Sequence, residues 1–426
     1  MNKRTKTALR RWCLYGWTFV KWTMAASAIG VVCGLIGTMF HFGVHEVTAF
    51  RGTHPWVLYL LPLAGFVIVS FYKLTETDGL GTDDIIGAVH EGKRLPILLL
   101  PAIFFGTVLT HLCGGSAGRE GAALQMGGTI GQCMGRTFRL DDRDLRVATL
   151  AGMAAFFSAL FGTPLAATVF AIMVISIGVI YHVALYPSLL AALVAYGVSI
   201  RLGVEPTRFT LAVPDQSVGM FVRVAALGVL CALVSILFCK LMHGAGHLMK
   251  RIKNPWLRVI CGGFAVIALT WVFGTDYNGA GMDIVTRAIE QETVAVPWAF
   301  LLKLVFTAVT LAAGFKGGEV VPSFFVGATF GCAVSPLLGL PVGFGAAVGL
   351  AAVFCGVTNC PVASTLLAVE LFGAEGLLYF ALACCLSYML SGYQGLYSSQ
   401  TILYSKLKAQ FINVHTNAYH AGEKTE

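Results

Sequence analysis

Charged residues are scarce in this 426-residue chain. Asp, Glu, Lys and Arg together make up 12% of it, whereas hydrophobic residues make up 57%. A soluble globular domain carries about 25% charged residues. The low charge is accompanied by repeated long apolar runs, and the 49 glycines suit the close approach of transmembrane helices. The composition therefore excludes an ordinary soluble domain and predicts a polytopic membrane protein in a lipid bilayer.

Several motifs of soluble enzymes are also missing. The twelve cysteines form no CxxC pair, which argues against a zinc site and against a disulfide framework. The sequence contains no Walker or dinucleotide-binding glycine loop. His243 and His247 are four residues apart, but no third ligand is evident nearby, so we expect no metal. No nucleophile is paired with a base, and we therefore expect neither an enzyme nor a cofactor.

The net charge of +8 is concentrated near the N-terminus and in short connections. Lysines and arginines cluster in residues 3–11, 136–146 and 250–253. This is the positive-inside pattern, which predicts a cytoplasmic N-terminus and argues against a nucleic-acid partner. The apolar run that follows has no clear cleavage site, so we interpret it as a retained first helix and not as a signal peptide.

The apolar segments are uneven in length, and several are too short to cross about 30 Å of hydrocarbon. Pro164 and Pro361 interrupt two of them. Broken helices are tolerated at membrane depth where they are buried in protein or line a polar cavity. The unevenness therefore indicates a functional cavity.

Four short patterns recur in the same order about 200 residues later. The matched pairs are 78–83 with 278–283, 118–121 with 317–320, 127–131 with 327–331, and 163–166 with 360–363. Two similar halves in one membrane chain predict a pseudo-two-fold axis, with the site where the halves meet. We expect a basic tail over 1–16, a membrane domain over 17–407 with halves 17–200 and 215–407, and a short tail over 408–426 without a regulatory domain.

A glycine-rich segment from Cys113 to Gly121 follows an apolar helix that ends at about Leu112. A glycine-rich turn before a helix N-terminus offers free N–H groups and a positive dipole end, which favour an anion. A fixed carboxylate at Glu120 would oppose that anion unless it competes with it or takes up a proton. The motif therefore predicts a gate or proton carrier at Glu120. The alternative is a capped helix start, with Arg119 and Glu120 paired at a membrane interface.

Two later segments have related features. Residues 314–322 again place glycines beside an acidic residue, and Pro322 suits the first turn of a helix. A helix-breaking loop is the alternative interpretation of that segment. Tyr397 lies near the last apolar run, where its hydroxyl can donate to an anion without adding charge. Taken by themselves, these residues favour a tyrosine anchor at the membrane edge.

At these motifs the chain resembles the CLC family of chloride channels and proton-coupled anion transporters, from about Trp17 to Leu407. The string GREG at 118–121 matches the family signature, and the resemblance implies that Glu120 is the gate and proton-transfer residue. The resemblance further implies an all-α, inverted-topology repeat with tilted and broken helices, and a homodimer with one pore per subunit. The implied anion-binding residues are Gly118, Arg119, Gly121, Leu80, Gly81, Glu319, Val320, Val321 and Tyr397.

Two departures from the chloride-transporting members concern the site. Leu80 stands where many chloride-selective members have a serine, and Val174 stands where proton-coupled chloride exchangers carry an internal glutamate. The strings at 314–320 and 395–400 are most similar to the fluoride-exporting CLC-F branch, which also lacks that serine. The resemblance therefore favours fluoride/proton antiport.

The match to that branch is incomplete. Asp83 and Ile86 stand where it has phenylalanines, Leu80 where it has methionine, and Val321 where it has threonine. A CLC-type chloride channel or chloride/proton exchanger is therefore the alternative function, whereas a membrane enzyme or receptor lacks any supporting motif. In each transport function the partners are a halide anion and protons, and the expected location is a bacterial-type inner membrane.

Overall fold

A computed structural model of the chain describes residues 3–292, 296–408 and 410–417, with side chains from residue 11 onward. These residues form sixteen α-helices, two short 3-10 helices and three short strands. The helices of the first half are α1 (Lys3–Thr53), α2 (Leu61–Leu74), α3 (Thr82–Glu91), α4 (Leu99–Leu112), α5 (Glu120–Thr137), α6 (Asp142–Phe161), α7 (Pro164–Met173) and α8 (Leu185–Arg201). The helices of the second half are α9 (Val218–Met249), α10 (Pro255–Phe273), α11 (Met282–Glu290), α12 (Ala299–Ala313), α13 (Val320–Leu338), α14 (Val342–Thr358), α15 (Pro361–Phe372) and α16 (Leu377–Leu390). The 3-10 helices are Pro55–Leu60 and His182–Ala184.

The uneven lengths expected from the sequence are confirmed. Within the described residues, seven helices or helix pairs are long and apolar enough to cross a membrane. Six other apolar helices have 10–17 residues, fewer than the roughly 20 that a perpendicular span requires. The helix bundle thus contains several apolar helices that are too short for a perpendicular span.

The interruptions at 162–164 and 359–361 are helix breaks in equivalent places. Gly162 and Asn359 follow the last residues of α6 and α14, and both lie in the left-handed region, with φ of 71° and 61°. Helices α7 and α15 then begin at Pro164 and Pro361, because proline has no N–H to leave unpaired in a first turn.

The two halves meet at a short antiparallel bridge between Gly118 and Gly318. Each glycine donates its N–H to the carbonyl of the other, and both N···O distances are 2.8 Å. Helices α5 and α13 begin two residues after these glycines. Since the bridged segments run in opposite directions and lead into equivalent helices, the halves are related by inversion, as the family resemblance implied.

The bridge corrects one alignment made from the sequence. Residues 118–121 pair with 318–321, not with 317–320. The same offset of 200 relates the starts of α3, α4, α5 and α6 to those of α11, α12, α13 and α14. The equivalent of Glu120 is therefore Val320, and Glu319 is the equivalent of Arg119. The sequence alignment followed the shared Gly-Glu pair, which lies one residue out of register.

The two predicted tails contain regular structure. Helix α1 begins at Lys3, so the basic segment is the start of the first helix. At the other end, β3 (Phe411–His415) pairs antiparallel with β2 (Thr401–Tyr404), which pairs in parallel with β1 (Ser176–Ile177). Ile177, Ile402 and Ile412 form a small core of their own. Residues 418–426 of the predicted C-terminal tail lie outside the described residues.

Glycines allow the central helices to cross so closely that their backbones touch. An added Cβ at Gly152 of α6 would lie 2.0 Å from the carbonyl oxygen of Gly127 in α5. In the second half, an added Cβ at Gly349 of α14 would lie 2.3 Å from the carbonyl oxygen of Gly327 in α13. The repeated glycines of 127–131 and 327–331 therefore serve helix packing.

A substitution at one of these crossings should destabilise the protein. We expect Gly152→Val to lower the free energy of unfolding by about 2 kcal/mol or more, because the new side chain must push two backbones apart. The control is Gly244→Val in α9, where an added Cβ has open space. Thermal unfolding in detergent measures both variants, and equal losses in the two would contradict this account of the crossing.

Candidate functional site

A cavity of about 300 Å³ lies where parts of both halves approach each other. It is lined by the end of α2, by the loop before α3 and its first turn, and by one residue each of α4, α5 and α12. Residues 315–317, 319 and 396–397 complete the lining. Of the site residues predicted from the sequence, four line it: Leu80, Gly81, Glu319 and Tyr397. The cavity also includes polar side chains that the sequence did not single out, among them Tyr72, Gln125 and Lys316.

Leu80 is placed in the cavity wall by a tight turn before α3. Gly79 has a φ of +84°, a left-handed conformation that favours glycine. The N–H of Leu80 donates to the carbonyl of Thr77 at 3.2 Å, and the N–H of Gly81 donates to Oδ2 of Asp84 at 2.8 Å. Leu80 thus presents an apolar side chain beside the N-terminus of α3.

Tyr397 is a buried cavity residue. Its side chain is 2% exposed, and among the described residues its hydroxyl has no hydrogen-bond partner. The interpretation of Tyr397 as an anchor at the membrane edge is therefore wrong, because an anchor keeps its hydroxyl at the water interface. The family motif, and not the local composition around Tyr397, predicted an internal position for this residue.

Contacts on both sides hold the segment that carries Tyr397. The N–H of Leu396 donates to the carbonyl of Val357 at 2.9 Å, and Oγ1 of Thr416 donates to the carbonyl of Tyr397 at 2.6 Å. The N–H of Ser399 donates to Oδ1 of Asp83 in the first turn of α3, at 2.9 Å. Asp83, which the sequence noted only as a departure from the CLC-F pattern, is thus a positioning residue for the Tyr397 segment.

The carboxylate of Glu120 folds back onto the N-terminus of its own helix. The side chain is 1% exposed, and its Oε2 accepts the backbone N–H of Arg119 at 2.9 Å. Its Oε1 lies 3.5 Å from Nε of Arg119. The positive end of a helix and its free N–H groups attract anions. The Glu120 carboxylate therefore occupies the kind of place that a transported anion would use.

Gly118 leaves the room for this carboxylate. An added Cβ there would lie 2.7 Å from Oε2 of Glu120 and 3.0 Å from Cβ of Val321 at the start of α13. The N–H of Gly118 is already used in the bridge to Gly318. Gly118 therefore contributes space between the two helix starts, and its own amide is not free for an anion.

Arg119 reaches from this region toward α1. Its Nη1 lies 3.1 Å from Nδ1 of His41, while its Nε faces the Glu120 carboxylate. Its side chain does not line the cavity. The guanidinium thus compensates the charge of Glu120 and ties the start of α5 to α1.

The start of α5 connects this region with the cavity. An added Cβ at Gly121 would lie 2.7 Å from Cα of Gly318 and 3.6 Å from Oγ1 of Thr82. One turn later, Nε2 of Gln125 donates to the same Thr82 oxygen at 3.0 Å. The N-termini of α3, α5 and α13 therefore converge, with the predicted residues Val320 and Val321 buried in the first turn of α13.

A hydrogen-bond network surrounds Val174, the position at which the sequence lacks the internal glutamate of chloride exchangers. Val174 is fully buried, and its carbonyl accepts Nε2 of Gln400 at 2.9 Å. The same nitrogen donates to the carbonyl of Thr358 at 3.0 Å, and the Gln400 oxygen accepts from Asn359 at 3.2 Å. The network also includes an ionisable side chain, because Nζ of Lys406 donates to Oδ1 of Asn359.

Known proteins resemble the chain over most of its length. A family model described as voltage gated chloride channel matches residues 63–392. A chloride/fluoride channel protein of Pseudomonas syringae pv. tomato is 38% identical over 398 residues, which cover 91% of this chain and 87% of that protein. An H(+)/Cl(-) exchange transporter ClcA of Vibrio vulnificus is 26% identical, covering 87% of this chain and 86% of the relative.

Two solved structures share the fold. The crystal structure of a CLC-type fluoride/proton antiporter matches with a TM-score of 0.88 and 33% identity, covering 91% of this chain and 99% of the other. A slow cyanobacterial Cl-/H+ antiporter matches with a TM-score of 0.75 at 19% identity. Together with the family model and the 38% identical relative, these matches confirm the family predicted from the motifs. The chain belongs to the voltage-gated chloride channel family, the CLC family, and is a multi-pass membrane protein.

Proposed function

We propose that the protein exchanges fluoride for protons across the membrane, with Glu120 as the gate. The observation that carries this proposal is the position of the Glu120 carboxylate at the N-terminus of α5, where it accepts a backbone N–H. Two similar proteins support the choice of anion, since one is a chloride/fluoride channel protein and the other is a CLC-type fluoride/proton antiporter.

This geometry would couple fluoride movement to proton movement, because fluoride and the Glu120 carboxylate compete for the same site at the N-terminus of α5. While Glu120 is deprotonated, its carboxylate is the anion held by the helix N-terminus. Protonation removes that negative charge, weakens the attraction to the amide and the dipole, and allows a fluoride ion to replace the side chain. When the fluoride leaves, the carboxylate can return only by releasing its proton. Anion and proton therefore move in opposite directions.

Glu319 is the second acid that we assign to the proton route. It precedes α13, lines the cavity, and among the described residues has no Lys, Arg or His nitrogen within 4.0 Å. Position 174 carries valine, so the internal glutamate of chloride exchangers has no counterpart there. Glu319 would then take up protons on the cavity side of Glu120.

In this mechanism Tyr397 forms part of the cavity wall, and its hydroxyl, which has no hydrogen-bond partner among the described residues, donates to the passing anion. Leu80 gives the same wall an apolar surface. The other predicted ligands act at the convergence of the helix starts: Arg119 through its charge beside Glu120, and Gly121, Val320 and Val321 through the first turns of α5 and α13.

A chloride channel or chloride/proton exchanger is the second candidate. It is favoured by Asp83 and Ile86, because neither supplies the phenylalanine edge that the CLC-F branch has at these positions. Asp83 instead accepts a hydrogen bond from Ser399 in the Tyr397 segment, and Ile86 is fully buried in the core.

We further propose that the protein forms a homodimer in a bacterial plasma membrane, with a cytoplasmic N-terminus. Gel filtration of the detergent-solubilised protein would test the homodimer, and protease accessibility would test the position of the N-terminus.

The Glu120→Gln variant tests the gate. Glutamine keeps the size of the side chain but carries neither the charge nor the exchangeable proton. We expect fluoride-driven proton uptake by proteoliposomes to fall at least about tenfold, while passive fluoride flux persists. Parallel assays with chloride compare the two anions. Proton-coupled transport at the wild-type rate in Glu120→Gln would refute the assignment, and chloride flux with no pH change in the wild type would favour the channel.

The Glu319→Gln variant tests the second proton site. We expect proton transport to slow about tenfold, because a neutral amide cannot pass a proton to Glu120. Fluoride exchange that needs no proton should persist, since the helix N-termini are unchanged. The matched control is Glu375→Gln, which alters an exposed glutamate between α15 and α16. Equal proton rates in both variants would remove Glu319 from the route.

A pair of substitutions at Asp83 tests how the Tyr397 segment is held. Asp83→Ala removes the acceptor for the Ser399 N–H, so we expect faster hydrogen exchange across residues 395–400, by about fivefold or more. Asp83→Asn keeps an oxygen acceptor and should exchange nearly as slowly as the wild type. If the alanine variant exchanges no faster than the asparagine variant, this hydrogen bond does not restrain the segment.

A further inference from the structure

His41 of α1 contacts the arginine beside the gate. Its Nδ1 lies 3.1 Å from Nη1 of Arg119, and Nε of the same guanidinium lies 3.5 Å from Oε1 of Glu120. A guanidinium carries N–H donors and no acceptor, so the histidine nitrogen must be the acceptor in this contact. The geometry therefore requires a neutral imidazole at His41, with its proton on Nε2.

Arg119 is the charged group in direct contact with His41. On the same helix, the ring of His45 stacks on His41 with the two centroids 6.4 Å apart, and Nδ1 of His45 lies 3.7 Å from Oε1 of Glu46. Among the described residues, no carboxylate oxygen lies within 4.0 Å of a His41 nitrogen. The polar partner of His41 is therefore a cation.

Other helices that pack against α1 also carry ionisable groups near this level. An added Cβ at Gly203 would lie 3.9 Å from the Phe42 ring, which places the end of α8 beside His41. The ionisable side chains there and on α4 are the exposed Arg201 and Glu205 and the buried His111, whose Nδ1 lies 2.9 Å from the Thr107 carbonyl oxygen. In the part of the chain that the structure describes, none of them is hydrogen-bonded to His41.

His41 lies at the membrane level opposite the N-terminus. At about 1.5 Å per residue, α1 places it about 30 Å beyond Lys21, which pairs with Asp144 at the start of α6. That distance is close to the thickness of the hydrocarbon core. Aromatic residues that suit the two membrane interfaces are exposed before Lys21 (Trp12, Tyr15, Trp17) and after His41 (Trp56, Tyr59). Because His41 is also partly exposed, protons from the water on that side can reach it.

The length of the contact between Arg119 and Glu120 matters for a gate. A guanidinium that offers two nitrogens to one carboxylate forms a short bidentate pair, which is a strong interaction. Here one nitrogen faces Glu120 at 3.5 Å, while Nη1 is turned toward His41. The long contact is the weaker one, so less free energy is lost when the Glu120 carboxylate takes up a proton and leaves the N-terminus of α5.

The second half provides an internal comparison. Helix α9 packs against α12, α13, α14 and α16, as α1 packs against α4, α5, α6 and α8, so α9 is the counterpart of α1. Glu319 is the counterpart of Arg119, and among the described residues no Lys, Arg or His nitrogen lies within 4.0 Å of its carboxylate. The contact between a histidine and the residue before the helix start thus belongs to the half that carries Glu120.

We propose that His41 is a positioning residue for the gate, because its neutral imidazole holds the Arg119 guanidinium toward α1 and keeps the Arg119–Glu120 ion pair easy to break. This inference rests on the proposed function. Protonation of His41 would remove the acceptor and bring two cations together. The guanidinium would then turn to Glu120 and hold the carboxylate at the N-terminus of α5. Acidic water on that side of the membrane would therefore slow the exchange.

The test measures fluoride-driven proton transport by proteoliposomes from about pH 5 to pH 8, with equal pH on both sides so that the orientation of the protein does not matter. We expect the wild-type rate to decline below about pH 6. His41→Asn keeps an acceptor that does not titrate, so it should match the wild type at about pH 7.5 and show no such decline. His41→Leu has no acceptor, and its rate should be about fivefold lower at about pH 7.5.

Two controls show where His41 acts. His45→Asn alters the stacked neighbour, which does not contact Arg119, and should keep the wild-type rate and pH profile. In the Glu120→Gln background there is no carboxylate for the guanidinium to hold, so His41→Leu should leave the passive fluoride flux unchanged. A fivefold loss in that background would show that His41 acts elsewhere, which overturns the inference.

The outcomes separate the role of His41 from the proposed function. Proton-coupled transport in the wild type, with the same rate and pH profile in His41→Leu, overturns the inference and leaves the antiport proposal standing. If the wild type passes anions without protons, the antiport proposal is wrong, and the same comparison of variants by passive flux decides the role of His41. Should His41→Leu fail to give monodisperse protein, a decline in His41→Asn equal to that of the wild type overturns the inference.

Discussion

The paired hydrogen bonds between Gly118 and Gly318 are the contact on which the site depends. They join the two halves at the point where α5 and α13 begin, and they run antiparallel, so the helix starts face the same small volume from opposite directions. A side chain on Gly118 would occupy the space of the Glu120 carboxylate, and one on Gly318 would lie 2.3 Å from the Gly121 nitrogen. The inverted arrangement of the halves, the convergence of the helix starts and the position of the Glu120 carboxylate therefore share a single backbone contact.

Broken helices leave backbone N–H and C=O groups unpaired, and in a membrane protein these groups need partners in the protein or in a water-filled cavity. Here the N-termini of α3, α5 and α13 face one another and the cavity instead of lipid. Water is available in a polar cavity but not in hydrocarbon, so this arrangement avoids the cost of unsatisfied amides. The same amides and dipoles carry partial positive charges, which favour an anion without binding it too tightly for rapid passage. The short apolar helices are thus a requirement of transport as much as of packing.

The sequence predicted those features that depend on local pattern or on a family motif. The repeat, the helix breaks at Pro164 and Pro361 and the family itself are confirmed, and Glu120 lies where the glycine-rich turn placed it. The one-residue error between 317–320 and 318–321 arose because both halves contain a Gly-Glu pair, and only the bridge fixes the register.

Other features depend on contacts between distant segments, which sequence patterns do not report. Asp83 is bonded to Ser399, 316 residues away, and Lys316 meets Tyr72 across α4. Neither pair has a spacing that a local motif can reveal. For Tyr397, local composition favoured the wrong environment, because a tyrosine near the end of an apolar run looks the same whether its hydroxyl faces water or an internal cavity.

The C-terminal strand brings the end of the described chain into mechanical contact with the ion path. The segment after β3 donates from Thr416 to the carbonyl of Tyr397, and Asn417 exchanges hydrogen bonds with Gly395. A partner that binds β3 would therefore act on the cavity wall through one or two residues. In such a transporter the strand pair can carry a regulatory signal straight to the wall beside the ion.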